Sequence, residues 1–191
     1  VMNIRDEYLK RKANSSDINE HLETLYSYGN RCRNITELGS RYGDSTIALL
    51  YSNPKLLTSY DLFKSDFIDE LKEDNFKFIK GDSLEIKIEE TDLLFIDTLH
   101  RYFQLFNELG FHAKRVRKYI LLHDTKTYGE EDEPLYAAHI PVKMSSKVIN
   151  TKATGLKQAI KDFLETTKEG KNWKIKEIFT NNNGLTVLER Q

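Results

Sequence analysis

The chain has 191 residues, enough for one domain with a proper core and little more. Its 29 basic residues balance 30 acidic ones, which argues against a nucleic-acid partner. Its single cysteine, Cys32, excludes an intrachain disulfide and a cysteine-built metal site. No apolar run is long enough to span a membrane and no signal peptide opens the sequence, so a cytoplasmic protein is expected. The opening Val1-Met2 fits either an added residue or a segment cut from a longer protein.

Residues 1–14 are polar and basic and read as a flexible, frayed lead-in; residues 15–191 read as a single domain. Ser15-Ser16-Asp17 precede an amphipathic segment from Ile18 to about Tyr28, with Ile18, Leu22, Leu25 and Tyr26 on one face. A short strand ends at Leu38 and enters the turn Gly39-Ser40-Arg41-Tyr42-Gly43, and a helix runs on to about Tyr51. Asp44 or Ser45 is placed to cap that helix. Strands follow over Lys55–Tyr60, Phe76–Lys80, Leu93–Ile96 and Tyr119–Leu122, with helices over about Ser65–Asp74 and Tyr102–Arg115 between them. Thr125–Asn150 has no clear period and is too long for a connector, so it reads as a lid or substrate loop whose Glu130-Glu131-Asp132-Glu133 run is a solvated tip. A helix over Gly155–Lys168 and the strands Trp173–Phe179 and Leu185–Leu188, joined by a turn-rich link, close the chain. Alternating strands and helices with right-handed crossovers predict a Rossmann-like, doubly wound α/β sheet of seven strands, mostly parallel, with a C-terminal antiparallel hairpin.

In such a sheet ligands sit at the carboxyl ends of the strands. The turn after the first strand lacks the middle glycine that a pyrophosphate requires, and Glu37 just before Gly39 suits a ligand carrying an ammonium group. Asp61, 22 residues beyond Gly39, is placed to bind a ribose diol, which adenosylmethionine and NAD share. Asp82 and Ser83 end the third strand where an adenine edge would lie. Asp97 and His100 follow the fourth strand and His123-Asp124 the fifth. Carboxylates and imidazoles after apolar strands are costly to bury unpaired, so they should line a cleft or bind something. Two carboxylates and an imidazole suit a divalent cation such as Mg2+, with Mn2+ or iron as alternatives. Tyr102, Tyr128 and Tyr136 serve either as sugar-stacking or as packing residues, Lys114–Lys118 complements a helix dipole, and Trp173 plugs the core.

The run Glu37-Leu38-Gly39-Ser40-Arg41-Tyr42-Gly43 resembles the E-x-G-x-x-x-G motif of class I S-adenosylmethionine-dependent methyltransferases. The expected strand order, with its terminal hairpin, resembles their fold. Asp97-Thr98-Leu99-His100 with the polar end of strand five is similar to the metal-dependent sugar O-methyltransferases, the group of macrocin-type and cephalosporin-hydroxylase-like enzymes. That resemblance spans about Asp17 to Glu189. It implies S-adenosylmethionine bound by Glu37, Gly39, Gly43, Ser45, Asp61, Asp82 and Ser83. It also implies a divalent metal held by Asp97, His123 and Asp124, with His100 as general base, although a glutamate is typical where His123 stands. The acceptor implied is a hydroxyl of a small molecule or glycan, in a setting such as a larger glycan-synthesis protein. The competing readings are an NAD-dependent oxidoreductase, a nucleic-acid methyltransferase and a non-catalytic interaction module. The first is opposed by the missing glycine, the second by the neutral charge and the absence of an Asp-Pro-Pro-Tyr-type run.

Overall fold

Leu93-Leu94-Phe95-Ile96 and Ile120-Leu121-Leu122 are apolar without alternation, as parallel strands covered on both faces must be. A computed structural model of the chain, describing residues 2–134 and 152–191, places both runs, fully buried, in the middle of one sheet. The strands are β1 (Asn34–Leu38), β2 (Leu56–Asp61), β3 (Phe76–Lys80), β4 (Thr91–Ile96), β5 (Val116–His123), β6 (Trp173–Phe179) and β7 (Leu185–Arg190). Their spatial order is β3-β2-β1-β4-β5-β7-β6. The first five run parallel, and β7 lies antiparallel between β5 and β6. This is the Rossmann-like mixed sheet that the alternation of elements predicts.

Successive residues of each strand point to opposite faces, so one strand feeds two cores. Leu93, Phe95 and Leu121 pack with Ile47, Leu25 and Tyr8 under α1 (Ile4–Ala13), α2 (Leu22–Gly29) and α3 (Asp44–Tyr51). Leu94, Ile96, Ile120 and Leu122 pack with Phe103, Leu109, Ile160, Phe163 and Trp173 under the helices that follow β4 and precede β6, Tyr102–His112 and Leu156–Thr166. With a short helix over Asp66–Glu70 numbered α4, these two are α5 and α6. Among the described residues no helix is long and apolar enough to cross a membrane.

The described part of the expected frayed lead-in, residues 2–14, is ordered instead as α1 and its caps. Asn3 accepts a hydrogen bond from the Asp6 N–H to start α1, and Tyr8 is buried with its ring stacked 4.5 Å from that of Tyr51. Arg11 binds Glu7 and Asp44 and lies 4.0 Å over the Phe67 ring. The helix is held by aromatic and ionic contacts rather than by an apolar stripe, so its sequence carries no amphipathic signal. Nor do Asp44 and Ser45 cap α3. Its N-cap is Gly43, in the left-handed region at φ 86°, while Asp44 is held by Arg11 and Ser45 by Glu37. Other differences are of extent. The helix after β2 stops at Glu70, and the one after β4 tightens into a 3-10 turn over Ala113–Arg115. The expected lid lies outside the described residues from 135 to 150, Tyr136 included.

Candidate functional site

β1 and β4 are neighbours, yet the helices that follow them pack on opposite faces of the sheet. Their carboxyl ends therefore open a crevice at the point where the strand order reverses. The two ends are joined closely: the Asp97 N–H donates to the Leu38 carbonyl at 2.9 Å, and a Cβ on Gly39 would stand 2.0 Å from the Asp97 carbonyl oxygen. Gly39 is therefore required both by contact and by its φ of 87°. The turn it starts closes with the Gly43 N–H on the Ser40 carbonyl at 2.7 Å.

Beside this turn lies a pocket of about 320 Å³, lined by Gly39 to Tyr42, Asp44 and Ser45, by Asp97, and by Ser16, Asp17 and Ile18 from the segment before α2. A second hollow, about 210 Å³, sits against Ile4, Leu50 and Asn53 and contains none of the candidate site residues. The first pocket fits a polar, partly cationic ligand. Three of its lining residues are acidic, and no side chain caps the first turn of α3.

Of the sequence-predicted cofactor residues, Gly39 and Ser45 line this pocket, Glu37, Gly43 and Asp61 shape the turn and strand end beside it, and Asp82 and Ser83 do not reach it. Glu37 stands behind it, fully buried, accepting from Ser45 Oγ at 2.6 Å, from Thr46 Oγ1 at 2.7 Å and from Ser59 Oγ. Burial drives its carboxyl up to about 7 against the opposing pull of those hydroxyls. Asp61 Oδ2 accepts from the Ser40 and Arg41 N–H groups, each at 2.9 Å, and so shapes the turn. Asp82 caps its own turn through the Leu84 N–H. Ser83 is buried and donates to Glu108, a second enclosed glutamate that burial brings to about 7 and that Thr98 and Gln104 also bind.

Asp97 also faces a second group of residues. His100 Nε2 lies 2.9 Å from Asp124 Oδ2 and 3.1 Å from Asp97 Oδ1, and its Nδ1 donates to Glu133 Oε2 at 3.0 Å. The Tyr128 ring stacks 5.0 Å from the imidazole, tilted by only 6°. Burial by itself would lower the His100 pKa, but the hydrogen bonds the ring donates to Asp124, Asp97 and Glu133 outweigh it and hold the ring protonated well above the ordinary range. An unperturbed imidazole of pKa about 6.5 is thus not what the fold provides. His123 Nδ1 stands 3.2 Å from Asp124 Oδ2 and 3.4 Å from Asp97 Oδ1. Its pKa also rises, to about 10, because Asp97 and Asp124 outweigh burial. Asp97 is correspondingly held far below the carboxylate range: burial opposes its ionisation, and His123 and His100 override it.

This group meets a simple test for a cation. One ligand atom each from Asp97, His100 and Asp124 lies within 4.8 Å of the others, and Asp124 Oδ1 and His123 Nδ1 are buried without a hydrogen-bond partner. Asp124 also takes a left-handed φ of 60°, uncommon for a residue other than glycine. The trio that converges includes His100, whereas the sequence pairs Asp97 and Asp124 with His123. All four side chains meet at one place. Glu133 is the participant that sequence reasoning missed: within a run of four acids it read as a solvated tip. In the fold its neighbour Asp132 caps α5 at the Tyr102 N–H, 2.7 Å away, and turns Glu133 inward. Tyr102 packs in the core and donates to Asp162, and Trp173 is likewise buried.

No protein-family model matches the chain, and no curated protein matches it. Solved structures do. An O-methyltransferase from Bacillus cereus in complex with S-adenosylhomocysteine is 16% identical, with 100% of this chain and 92% of that one covered at a TM-score of 0.61. The O-methyltransferase TomG from Streptomyces achromogenes, involved in tomaymycin synthesis and bound to S-adenosylmethionine, is 12% identical, with 100% and 91% covered at 0.62. An S-adenosylhomocysteine-bound methyltransferase from Podospora anserina is 13% identical, with 100% and 89% covered at 0.57. At these identities the likeness establishes the methyltransferase fold.

Proposed function

We propose that the protein is an S-adenosylmethionine-dependent O-methyltransferase that methylates a hydroxyl of a sugar or glycan with the help of a divalent cation, magnesium or manganese. One observation carries the reading: Asp97 belongs at once to the glycine-turn pocket and to the acid–imidazole cluster. A methyl donor in the first would therefore lie next to an acceptor held at the second, and such juxtaposition supplies much of a transfer rate. The fold shared with donor-bound O-methyltransferases supports it.

When bound, the donor brings an activated methyl group and the cation lowers the pKa of a coordinated hydroxyl. The chain's own part is to position both and to move a proton. Asp97 and Asp124, with His123 beside them, are the residues that would hold the cation. His100 Nε2 is the atom that would take the hydroxyl proton. It can do so only once Asp97 and Asp124 are engaged elsewhere, because their bonds keep it protonated. Glu133 would remain on Nδ1, orienting the ring and stabilising the charge it gains.

Calorimetric titration with S-adenosylhomocysteine, with NAD as the contrast, followed by methyl transfer to sugar acceptors with Mg2+ or with chelator, tests the reading. His100→Ala should bind S-adenosylhomocysteine within about twofold of the parent yet lose at least about a hundredfold in turnover. A fully active variant overturns the base assignment, and binding of NAD alone overturns the cofactor.

A further inference from the structure

Within the pocket the charged side chains are not equivalent. Asp44 is committed to Arg11 at 2.5 Å, a residue held in turn by Glu7 and the Tyr42 carbonyl. Asp97 is committed to the imidazoles. The remaining two lining charges are Asp17, from the segment before α2, and Arg41, from the glycine turn. They face each other, Arg41 Nη1 to Asp17 Oδ2 at 2.8 Å. Arg41 is the one cation among the described lining residues, and it is held there by a backbone in the left-handed region, φ 41°. Both side chains are well exposed, 68% and 46%, so their mutual attraction is screened and cheap to exchange for other partners.

We propose that Arg41 and Asp17 form a clamp for the two opposite charges of an α-amino acid group, Arg41 taking the carboxylate and Asp17 the ammonium, and that they pair with each other when that group is absent. The inference rests on the reading that this pocket takes S-adenosylmethionine, and it names the residues that distinguish the complete cofactor from its adenosine half. A single carboxylate or a single ammonium would leave one member of the pair without a partner, whereas a ligand carrying both satisfies the two at once. The uncapped first turn of α3, starting at Asp44 beside Arg41, favours the carboxylate on the arginine side.

The test compares S-adenosylhomocysteine with 5′-methylthioadenosine, which keeps the nucleoside and sulfur and lacks the amino acid group. Calorimetry is run on the full chain, on Arg41→Asn, chosen because asparagine tolerates the left-handed backbone, and on Asp17→Asn, which changes a different segment. Each variant is expected to bind S-adenosylhomocysteine about tenfold more weakly while its affinity for 5′-methylthioadenosine stays within about twofold. Equal weakening of both ligands would assign the pair to the shape of the turn and overturn the clamp. Unchanged affinity for both would overturn it while leaving the cofactor reading intact. If the parent chain binds neither ligand, the cofactor reading fails and the clamp with it.

Discussion

Glu37 and Glu108 are both sealed from water and each is ringed by hydroxyl or amide groups in place of a cation. Because burial lifts Glu37 from an ordinary 4.5 to about 7, the folded protein keeps a proton that the unfolded chain releases between those values. The folded state then binds more protons, so the stability tied to this residue is whole below about 4.5 and declines as pH climbs through 7, by on the order of 3 kcal/mol. Glu37→Gln, which keeps the size and can still bond the three hydroxyls, is expected to flatten the fall in unfolding free energy between pH 5 and 8. Urea titrations at several pH values would show it, and an unchanged slope would assign the decline to other groups. The sequence marked Glu37 for a ligand's ammonium. It could not show that Ser45, Thr46 and Ser59 enclose the carboxylate, because Ser59 arrives from another strand. Glu133 was hidden for a similar reason: only the folded position of Asp132 on the Tyr102 N–H separates an inward acid from its solvated neighbours.

Elements whose stability comes from apolar periodicity were legible. β3 and β6 span the expected residues, carried by their aromatic and β-branched side chains, and α5 begins at the expected Tyr102, where the buried face of Phe103 and Leu109 sets the helix. α1 was not legible, because its main holds on the body are one buried tyrosine and one arginine. That makes Tyr8 the lever of the whole element. Tyr8→Ala removes the stack on Tyr51 and the tilted contact with Tyr26 and is expected to cost about 3 kcal/mol. It should also raise amide exchange through Ile4–Ala13 well before the sheet opens. If exchange there matched that of the parent, Arg11 rather than Tyr8 would be the anchor. Since Arg11 also fixes Asp44 at the pocket, release of α1 should loosen the glycine turn with it.

At the scale of the molecule, the topology follows from alternation and crossover handedness. The convergence of Asp97, His100, His123 and Asp124 follows from strand ends that the sequence already marked. Which imidazole completes the trio with the two carboxylates depends on side-chain placement across the ends of β4 and β5, and no spacing rule reaches that far. The same topology sets an order in time. β7, the last of the described strands, is not at an edge: it enters between β5 and β6 and pairs with both. While the chain is being synthesised, β5 therefore waits with a bare rim, its Leu121 and Leu122 unsheltered by Val187 and Thr186, until the final described residues leave the ribosome. A chain stopped after Phe179 is expected to aggregate or be cleaved rather than fold, which pulse-chase solubility would register; a soluble, protease-resistant product would mean that the five parallel strands stand alone. The sheet closes only when β7 joins it, so whatever shields that rim until then governs how much of the protein matures.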